Sequence, residues 1–164
     1  QDRDAYQVEA LVDAGTEFVA AISGTPWCSD SVAEQGVSYR TLPEPQPRFV
    51  EQVHEHRLVA EGDGRHRVAL VRGDETLGVE VSWDSATMPH FFEWQNLRSG
   101  QYAIGLEPST HAVAGDAAAR EDGSMTWLEH GDTRSYSTTI RVLDGAEAVR
   151  ASRAAIRALG DQPD

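Results

Sequence analysis

The stretch that decides the fold runs from His66 to Trp83 and reads HRVALVRGDETLGVEVSW. It contains two apolar runs, His66–Val71 and Thr76–Trp83, on either side of Gly73-Asp74. Short runs rich in β-branched residues are typical of strands, and a Gly-Asp pair between them is typical of a tight turn. This stretch therefore predicts two neighbouring antiparallel strands.

Further short runs of the same kind lie on both sides of this pair. A turn signal, Glu61-Gly-Asp-Gly64, separates it from the run before it, and several short runs at close spacing indicate an antiparallel sandwich or barrel. In the last run, Tyr136, Thr138, Ile140 and Val142 are expected on one face. The additional predicted strands are Glu17–Ala20, Phe49–Leu58, His90–Trp94, Gln101–Leu106, Met125–Leu128 and Thr133–Leu143.

Two segments differ from this β texture. The region from Ser23 to Arg48 contains alternate prolines, which deny a sheet its N–H donors, and is predicted to be a long loop. Residues from Gly145 to Leu159 predict one helix after Asp144, with an apolar stripe of Ala146, Val149, Ala155, Ile156 and Leu159. We therefore expect an all-β sandwich over residues 1–143 and a terminal helix and tail over residues 144–164.

Composition excludes several classes of function. The 164 residues carry a formal net charge of -13, which disfavours nucleic acid and anionic membrane surfaces as partners. The single cysteine, Cys28, allows no intramolecular disulfide, and no apolar run approaches the ~20 residues that span a bilayer. The chain also contains no glycine-rich phosphate loop and no Rossmann fingerprint. A cytoplasmic protein without a cofactor or resident metal is the expectation.

Three ordered motifs are distinctive: MPHFFEWQNL from Met88, GQYAIGLEPST from Gly100 and LEHGD from Leu128. Together with FVEQVHEH from Phe49 and LVDAGT from Leu11, they resemble the C-terminal half of aldose 1-epimerase-like proteins, the galactose mutarotase-like superfamily, in a poorly characterised bacterial branch. The resemblance covers about Leu11 to Val142 and implies a β-sandwich that binds a sugar.

The resemblance also implies a chemistry and assigns residues to it. In the superfamily a glutamate takes the proton from the anomeric hydroxyl while a histidine protonates the ring oxygen, and the residue that matches this glutamate is Glu107. The sequence itself places Glu107 after an apolar run and before Pro108, where a strand is expected to end. Partial desolvation there would raise its pKa toward the range of a general base. A surface glutamate that closes a strand is the ordinary alternative.

Other residues are candidates for the same site. Trp94 ends the neighbouring aromatic strand and could stack on a sugar or belong to the core. Arg40, in the long loop, could bond sugar hydroxyls or simply face water. His111, four residues after Glu107, could reach the same pocket and act as the acid, or could simply face water as most loop histidines do.

The resemblance is incomplete at the N-terminus. Superfamily members are about twice as long, and a His-x-Asn segment precedes the part that matches Leu11, whereas Gln1 to Ala10 contain no histidine. Three explanations are open: a gene longer than this chain, which begins at Gln1; a second copy or another chain that completes the sandwich; or catalysis lost while sugar binding remains. An exposed half-sandwich favours an oligomer or heteromer.

Two other functions compete with an epimerase. The first is a non-catalytic carbohydrate-binding or structural subunit of a larger complex. The second is a cupin-like metal site, because His54, His56 and Glu61 have the His-x-His-x4-Glu spacing. Residues two apart on a strand share a face, so both histidines could reach one ion. The glycines that flank such a motif are absent, and two exposed strand histidines are the simpler interpretation.

Overall fold

The computed structural model describes residues 8–35 and 38–160. These residues form nine strands and three helices. Residues 1–7 of the predicted sandwich and residues 161–164 of the predicted terminal helix and tail lie outside the described residues. The strands are β1 (Val8–Leu11), β2 (Glu17–Ala20), β3 (Trp27–Cys28), β4 (Gln52–Glu55), β5 (Arg65–Val71), β6 (Leu77–Asp84), β7 (His90–Asn96), β8 (Ala103–Ser109) and β9 (Thr138–Asp144). The helices are α1 (Asp30–Gln35), α2 (Gly115–Asp122) and α3 (Gly145–Gly160).

The strands form two antiparallel sheets. The five-stranded sheet has the order β1-β8-β7-β4-β3, and the four-stranded sheet has the order β2-β5-β6-β9. The hairpin predicted from His66–Trp83 is β5 paired with β6, with Val71 opposite Gly78. The predicted mainly antiparallel β-sandwich with a C-terminal helix is therefore confirmed.

The main core lies between the inner faces of the two sheets. Strands of the four-stranded sheet contribute Phe18, Val68, Leu70, Val81 and Trp83, and β7 and β8 contribute Phe91, Ile104 and Leu106. Successive side chains of a strand point to opposite faces of its sheet, so every second residue counted from these core residues also points inward. Residues in between therefore point to the outer faces.

Helix α3 covers the outer face of the four-stranded sheet. Val149 and Ile156 are fully buried in a second apolar cluster with Val19, Val71 and Leu143. Ala155, which the sequence placed on the apolar stripe, is exposed, and Ser152 takes a buried place on the helix instead. None of the helices in the described part of the chain combines the length and the apolar character needed to cross a membrane.

Two details of the predicted strands are wrong. Residues Met125–Leu128 form no strand: they follow α2 as irregular chain, with Trp127 and Leu128 exposed. Pro108 does not end its strand, because β8 continues to Ser109 with Pro108 opposite Phe91. A strand accommodates proline where no ladder partner needs its N–H.

The predicted shared face of β9 is present and is exposed. Ile140 and Val142 share a face as predicted and pair with Val81 and Val79, but their side chains are 56% and 65% exposed. Strand β9 is the edge of the four-stranded sheet, and the exposure of these two side chains shows that no described layer covers them. An alternating pattern indicates a shared face, and only the opposing layer decides whether that face is buried.

Candidate functional site

The outer face of the five-stranded sheet carries a row of functional side chains. Trp27 pairs with Glu55, Glu55 with Phe92 and Phe92 with Glu107, so these four residues cross the sheet in one line. Their strand neighbours Phe91 and Leu106 point into the core, which places this row on the opposite face. At about 4.8 Å per strand, Glu55 and Glu107 lie about 10 Å apart, with Phe92 between them.

Trp94 lies beside this row on the same face. It is two residues from Phe92 on β7 and pairs with Gly105, which has no side chain to cover the indole ring. Its Nε1 donates to Oε2 of Glu51 at 3.3 Å, and Asn96 donates to the other oxygen at 3.4 Å. Trp94 is half-buried, so part of its ring faces the sheet surface. Sequence reasoning paired Trp94 with Glu107, and the structure brings them to one face.

His90 lies on the side of the row opposite to Trp94 and forms a polar pair with Glu55, a member of the row. His90 Nδ1 and Glu55 Oε1 are 2.9 Å apart, and the side chains are 32% and 18% exposed. The second oxygen of Glu55 accepts a long hydrogen bond, 3.5 Å, from the backbone N–H of Val113. A carboxylate that is ionised only accepts hydrogen bonds, so in that state of Glu55 the donor of this pair is Nδ1 of His90.

A cleft opens next to this pair. It has a volume of about 600 Å³, and its lining includes Trp27, Glu55, Arg57, His90 and Ala112. This volume is within the usual range of small-molecule sites, which is about 300–1,000 Å³. Trp27 is 50% exposed and presents an aromatic surface at the cleft.

His111 lies near this cleft but on a loop. It follows β8, and its Nδ1 is 3.0 Å from the carbonyl oxygen of Ala112, to which it donates. Its backbone N–H bonds Ser109 Oγ at 3.3 Å. The histidine is half-buried and is bonded within its own turn. Its catalytic role stays a prediction.

Arg40 lies on the opposite side of the sheet from Glu107. Its guanidinium stands 5.1 Å from the ring centre of Tyr39, and that ring packs against His54 and His56 on the inner face. The structure therefore does not bring Arg40 and Glu107 together. The sugar-binding role predicted for Arg40 remains untested.

The inner face contains a buried polar cluster that the sequence did not reveal. His54, His56, Glu93 and Gln95 are all at most 2% exposed, because β4 and β7 place them between the sheets. His56 Nε2 lies 2.9 Å from Glu93 Oε2, and Gln95 donates to Glu93 Oε1 at 2.8 Å. The interpretation of His54 and His56 as exposed strand histidines is thus wrong.

Burial controls the protonation of this cluster. Desolvation raises the pKa of Glu93 well above its usual range. Desolvation, followed by the like charge of His56, lowers the pKa of His54 to about 4. The pKa of His56 is also lowered to about 4, first by burial and then by the nearby Arg40. Burial thus favours the neutral forms of both His56 and Glu93, and in that state the hydrogen bond runs from Glu93 to His56.

The cupin-like alternative receives no support from this arrangement. The rings of His54 and His56 are stacked with their centres 6.0 Å apart, and Glu61 bonds Arg67 instead. Within residues 8–35 and 38–160, no three His, Cys, Asp or Glu side chains are grouped to hold a metal ion. Cys28 lies in β3, and burial and then Glu93 raise the pKa of its thiol, which weakens it as a nucleophile.

Sequence reasoning missed four contributors to the outer face: Trp27, Glu55, His90 and Phe92. A signal for three of them was present. Strand alternation puts His90 and Phe92 on the face of Trp94, and puts Glu55 on the face opposite to His54. Pairing across strands was not readable, because register depends on contacts between residues far apart in the chain.

Comparisons with known proteins agree with this fold. A family described as "Domain of unknown function (DUF4432)" matches residues 9–142. Among curated proteins, none matches the chain. A solved structure, described as a putative aldose 1-epimerase from Klebsiella pneumoniae subsp. pneumoniae MGH 78578, is similar with a TM-score of 0.84 and 21% sequence identity. The similarity covers 98% of this chain.

The chain spans 43% of the length of the Klebsiella protein. At this level of identity the likeness concerns the fold, and it agrees with the resemblance to aldose 1-epimerase-like sandwiches read from the three motifs. The family match extends over most of the chain, from β1 to β9. The chain therefore belongs to the DUF4432 family.

Proposed function

We propose that this chain binds a sugar on the outer face of its five-stranded sheet and acts at the anomeric centre, with Glu107 as the general base. The observation that carries the proposal is the row on that face: Glu107 stands beside Phe92, with Trp94 and His90 on the same strand as Phe92. Aromatic rings, carboxylates and an imidazole on one sheet face are the groups that bind and activate a pyranose.

The reaction follows from the protons that these groups can move. Glu107 takes the proton of the anomeric hydroxyl while the bond between C1 and the ring oxygen breaks, and the ring oxygen receives a proton from an acid. C1 becomes a carbonyl carbon and rotates. The ring oxygen then attacks its other face, and both protons return, so the α and β anomers interconvert without a net change.

The charge on this face favours an uncharged sugar. Three carboxylates lie along it, those of Glu51, Glu55 and Glu107, and the formal net charge of the whole chain is -13. Carboxylates accept hydrogen bonds from hydroxyls and repel a phosphate group. A neutral aldose is therefore the expected substrate class.

The test is anomer exchange followed by NMR on a panel of neutral aldoses, beginning with D-glucose and D-galactose. Glu107→Gln keeps the shape of the side chain and removes the base, so the exchange rate should fall by about 100- to 10,000-fold while binding remains. Glu121→Gln is the matched control, because Glu121 is exposed on α2.

Two results would count against this function. Equal rates for the wild type and Glu107→Gln would remove Glu107 from the reaction. Saturation-transfer contacts between a sugar and the wild-type protein, without exchange on any aldose, would indicate the non-catalytic carbohydrate-binding subunit instead.

A further inference from the structure

We propose that two copies of this chain associate through strand β9, which joins their four-stranded sheets into one continuous sheet. Strand β9 is the edge of its sheet, and among the described residues β6 alone pairs with it. An edge strand presents a row of backbone N–H and C=O groups to which a further strand can bond. This assembly does not depend on the reaction proposed above.

Strand β9 lacks the features that protect many sheet edges. Its seven residues, TTIRVLD, include no proline, and four of them are β-branched. The side chains of Ile140 and Val142 are 56% and 65% exposed on the side that faces the main core. The positive charge of Arg141 is bound to Glu80 on β6 at 2.8 Å, so it does little to repel a second strand. Such an edge favours pairing with another chain.

The residues before β9 have the pattern of a longer strand. Alternation in the sequence predicts a strand from Thr133 to Leu143, whereas β9 begins at Thr138. The pairing with β6 stops where Thr138 lies opposite Trp83, so residues 133–137 have no ladder partner in the described part of the chain. A second copy of β9 supplies that partner, and we expect β9 to lengthen toward Arg134 when it pairs.

Symmetry restricts how two copies of β9 can pair. Two identical antiparallel strands are related by a two-fold axis, which passes between one residue and its own copy. Directly opposite residues point to the same face of a sheet, so the core-facing sides of both copies stay together. The remaining choice is the residue that lies on the axis.

Charge selects Thr139 as the residue on the axis. With Thr139 opposite its own copy, Asp144 lies opposite Arg134 of the second copy, and the symmetry produces this pair twice. Both side chains are exposed, and neither forms an ion pair within the described part of the chain. Opposite charges stabilise a cross-strand pair. In this register, each copy therefore neutralises an unpaired charge of the other.

The neighbouring registers are less favourable. Placing Arg141 on the axis brings the two copies of this arginine face to face, and shifting the pairing in the other direction brings Asp144 opposite Asp132. Like charges directly opposite destabilise a strand pair. Placing Ile140 on the axis leaves Asp144 without a charged residue opposite it. The register centred on Thr139 is thus the one with complementary charges.

Apolar contacts agree with the same register. Val142 lies opposite Tyr136 of the second copy, and Ile140 lies opposite Thr138. Pairs of aromatic and β-branched residues are among the stabilising cross-strand pairs. Tyr136 is half-buried against the main core, so its ring is already on the side of Val142. The exposed apolar side chains of β9 therefore gain cover from the partner strand.

The first test is the mass of the full chain by sedimentation equilibrium at about 0.15 M salt, where the Debye length is about 8 Å and the net charge of -13 is largely screened. The mass should rise with concentration from 17.9 kDa to twice that value. Arg134→Asp should raise the dimer Kd by about 10- to 100-fold, because both charge pairs become repulsive. Adding Asp144→Arg should restore the Kd. Arg98→Asp, at another exposed arginine, is the control.

The second test measures the register. Thr139→Cys places two thiols opposite each other on the axis with Cα atoms about 4.5–5.5 Å apart, which suits a disulfide. Oxidised glutathione should therefore produce a covalent dimer of this variant on a non-reducing gel. Val142→Cys is the control, since the two copies of residue 142 lie six positions apart along the strands. The wild type, with Cys28 alone, should also stay uncrosslinked.

Each outcome supports or overturns the dimer. A mass of 17.9 kDa at every concentration would overturn it and would leave the edge of β9 to a different chain. A dimer that Val142→Cys links more readily than Thr139→Cys, or whose Kd Arg134→Asp leaves unchanged, would overturn pairing through β9. Circular dichroism establishes that each variant is folded. None of these measurements uses a sugar, so their result is separate from that of the anomer-exchange assay.

Discussion

Replacing His54 by leucine should remove one part of the acid sensitivity of this protein's stability. The His54 ring is fully buried, and neither of its nitrogens has a hydrogen-bond partner among the described residues. Its pKa is lowered from 6.5 to about 4, first by burial and then by His56. The folded protein therefore keeps His54 neutral, whereas the unfolded chain binds a proton below about pH 6.5.

The sign and the size of the effect follow from this difference. A histidine with a lowered pKa in the folded state contributes its full stability above pH 6.5, and that stability is lost as the pH falls toward 4. Each pH unit in this window costs about 1.4 kcal/mol, so the loss is about 2 kcal/mol at pH 5.

The neighbouring pair is common to the wild type and the variant. Burial raises the pKa of Glu93 well above its usual range and lowers that of His56 to about 4. Because both residues are present in the two proteins, the difference between their pH dependences reports on His54.

Urea unfolding followed by tryptophan fluorescence at pH 7, 6 and 5 measures the effect. From pH 7 to pH 5 the wild type should lose about 2 kcal/mol more free energy of unfolding than His54→Leu. At pH 7 the variant should be at least as stable as the wild type, since leucine removes two unpaired buried nitrogens. His130→Leu, at an exposed turn, is the control and should follow the wild type. Parallel pH dependences for the wild type and His54→Leu would refute this reasoning.

Two further predictions concern packing. Ile156→Ala should lower the free energy of unfolding in urea by about 3 kcal/mol, because Ile156 is fully buried between α3 and the sheet. The control is Leu159→Ala, at a half-buried position of the same helix. A cost for Ile156→Ala no larger than that of the control would contradict the packing of the helix. Gly78→Ala should lower the free energy of unfolding by about 1–3 kcal/mol, because a Cβ there would lie 2.9 Å from the backbone oxygen of Leu70. The control, Gly62→Ala, places its Cβ in open space and should change that free energy by less than about 0.5 kcal/mol. Equal effects of the two would show that β5 and β6 separate freely.

Much of the architecture was readable from short-range patterns. The hairpin of His66–Trp83 and the terminal helix after Asp144 form as predicted. Both depend on alternation or helical periodicity within a few residues, which a sequence displays directly. The strand predicted at Met125–Leu128 failed because apolar residues alone do not make a strand, and this segment has no ladder partner among the described residues.

The candidate site was predictable only in part. The sequence motif identifies Glu107 as a candidate, and alternation along β7 predicts which residues share a sheet face with Trp94. His90 and Glu55 are 35 positions apart, and their pairing arises because β4 and β7 lie side by side, a fact of sheet order. The placement of Arg40 across the sheet has the same origin, since the loop that carries it packs on the inner face.

The sequence by itself determined the antiparallel strands, the final helix, the acidic character and the resemblance carried by Glu107, because each depends on composition or on local order. Only the tertiary structure decided which face each strand buries. It also decided that His54, His56 and Glu93 are desolvated, and that His90 forms a hydrogen bond with Glu55 on the face that carries Glu107. Burial depends on the opposing layer and cross-strand contact depends on the neighbouring strand, so the local sequence around a residue predicts neither of them.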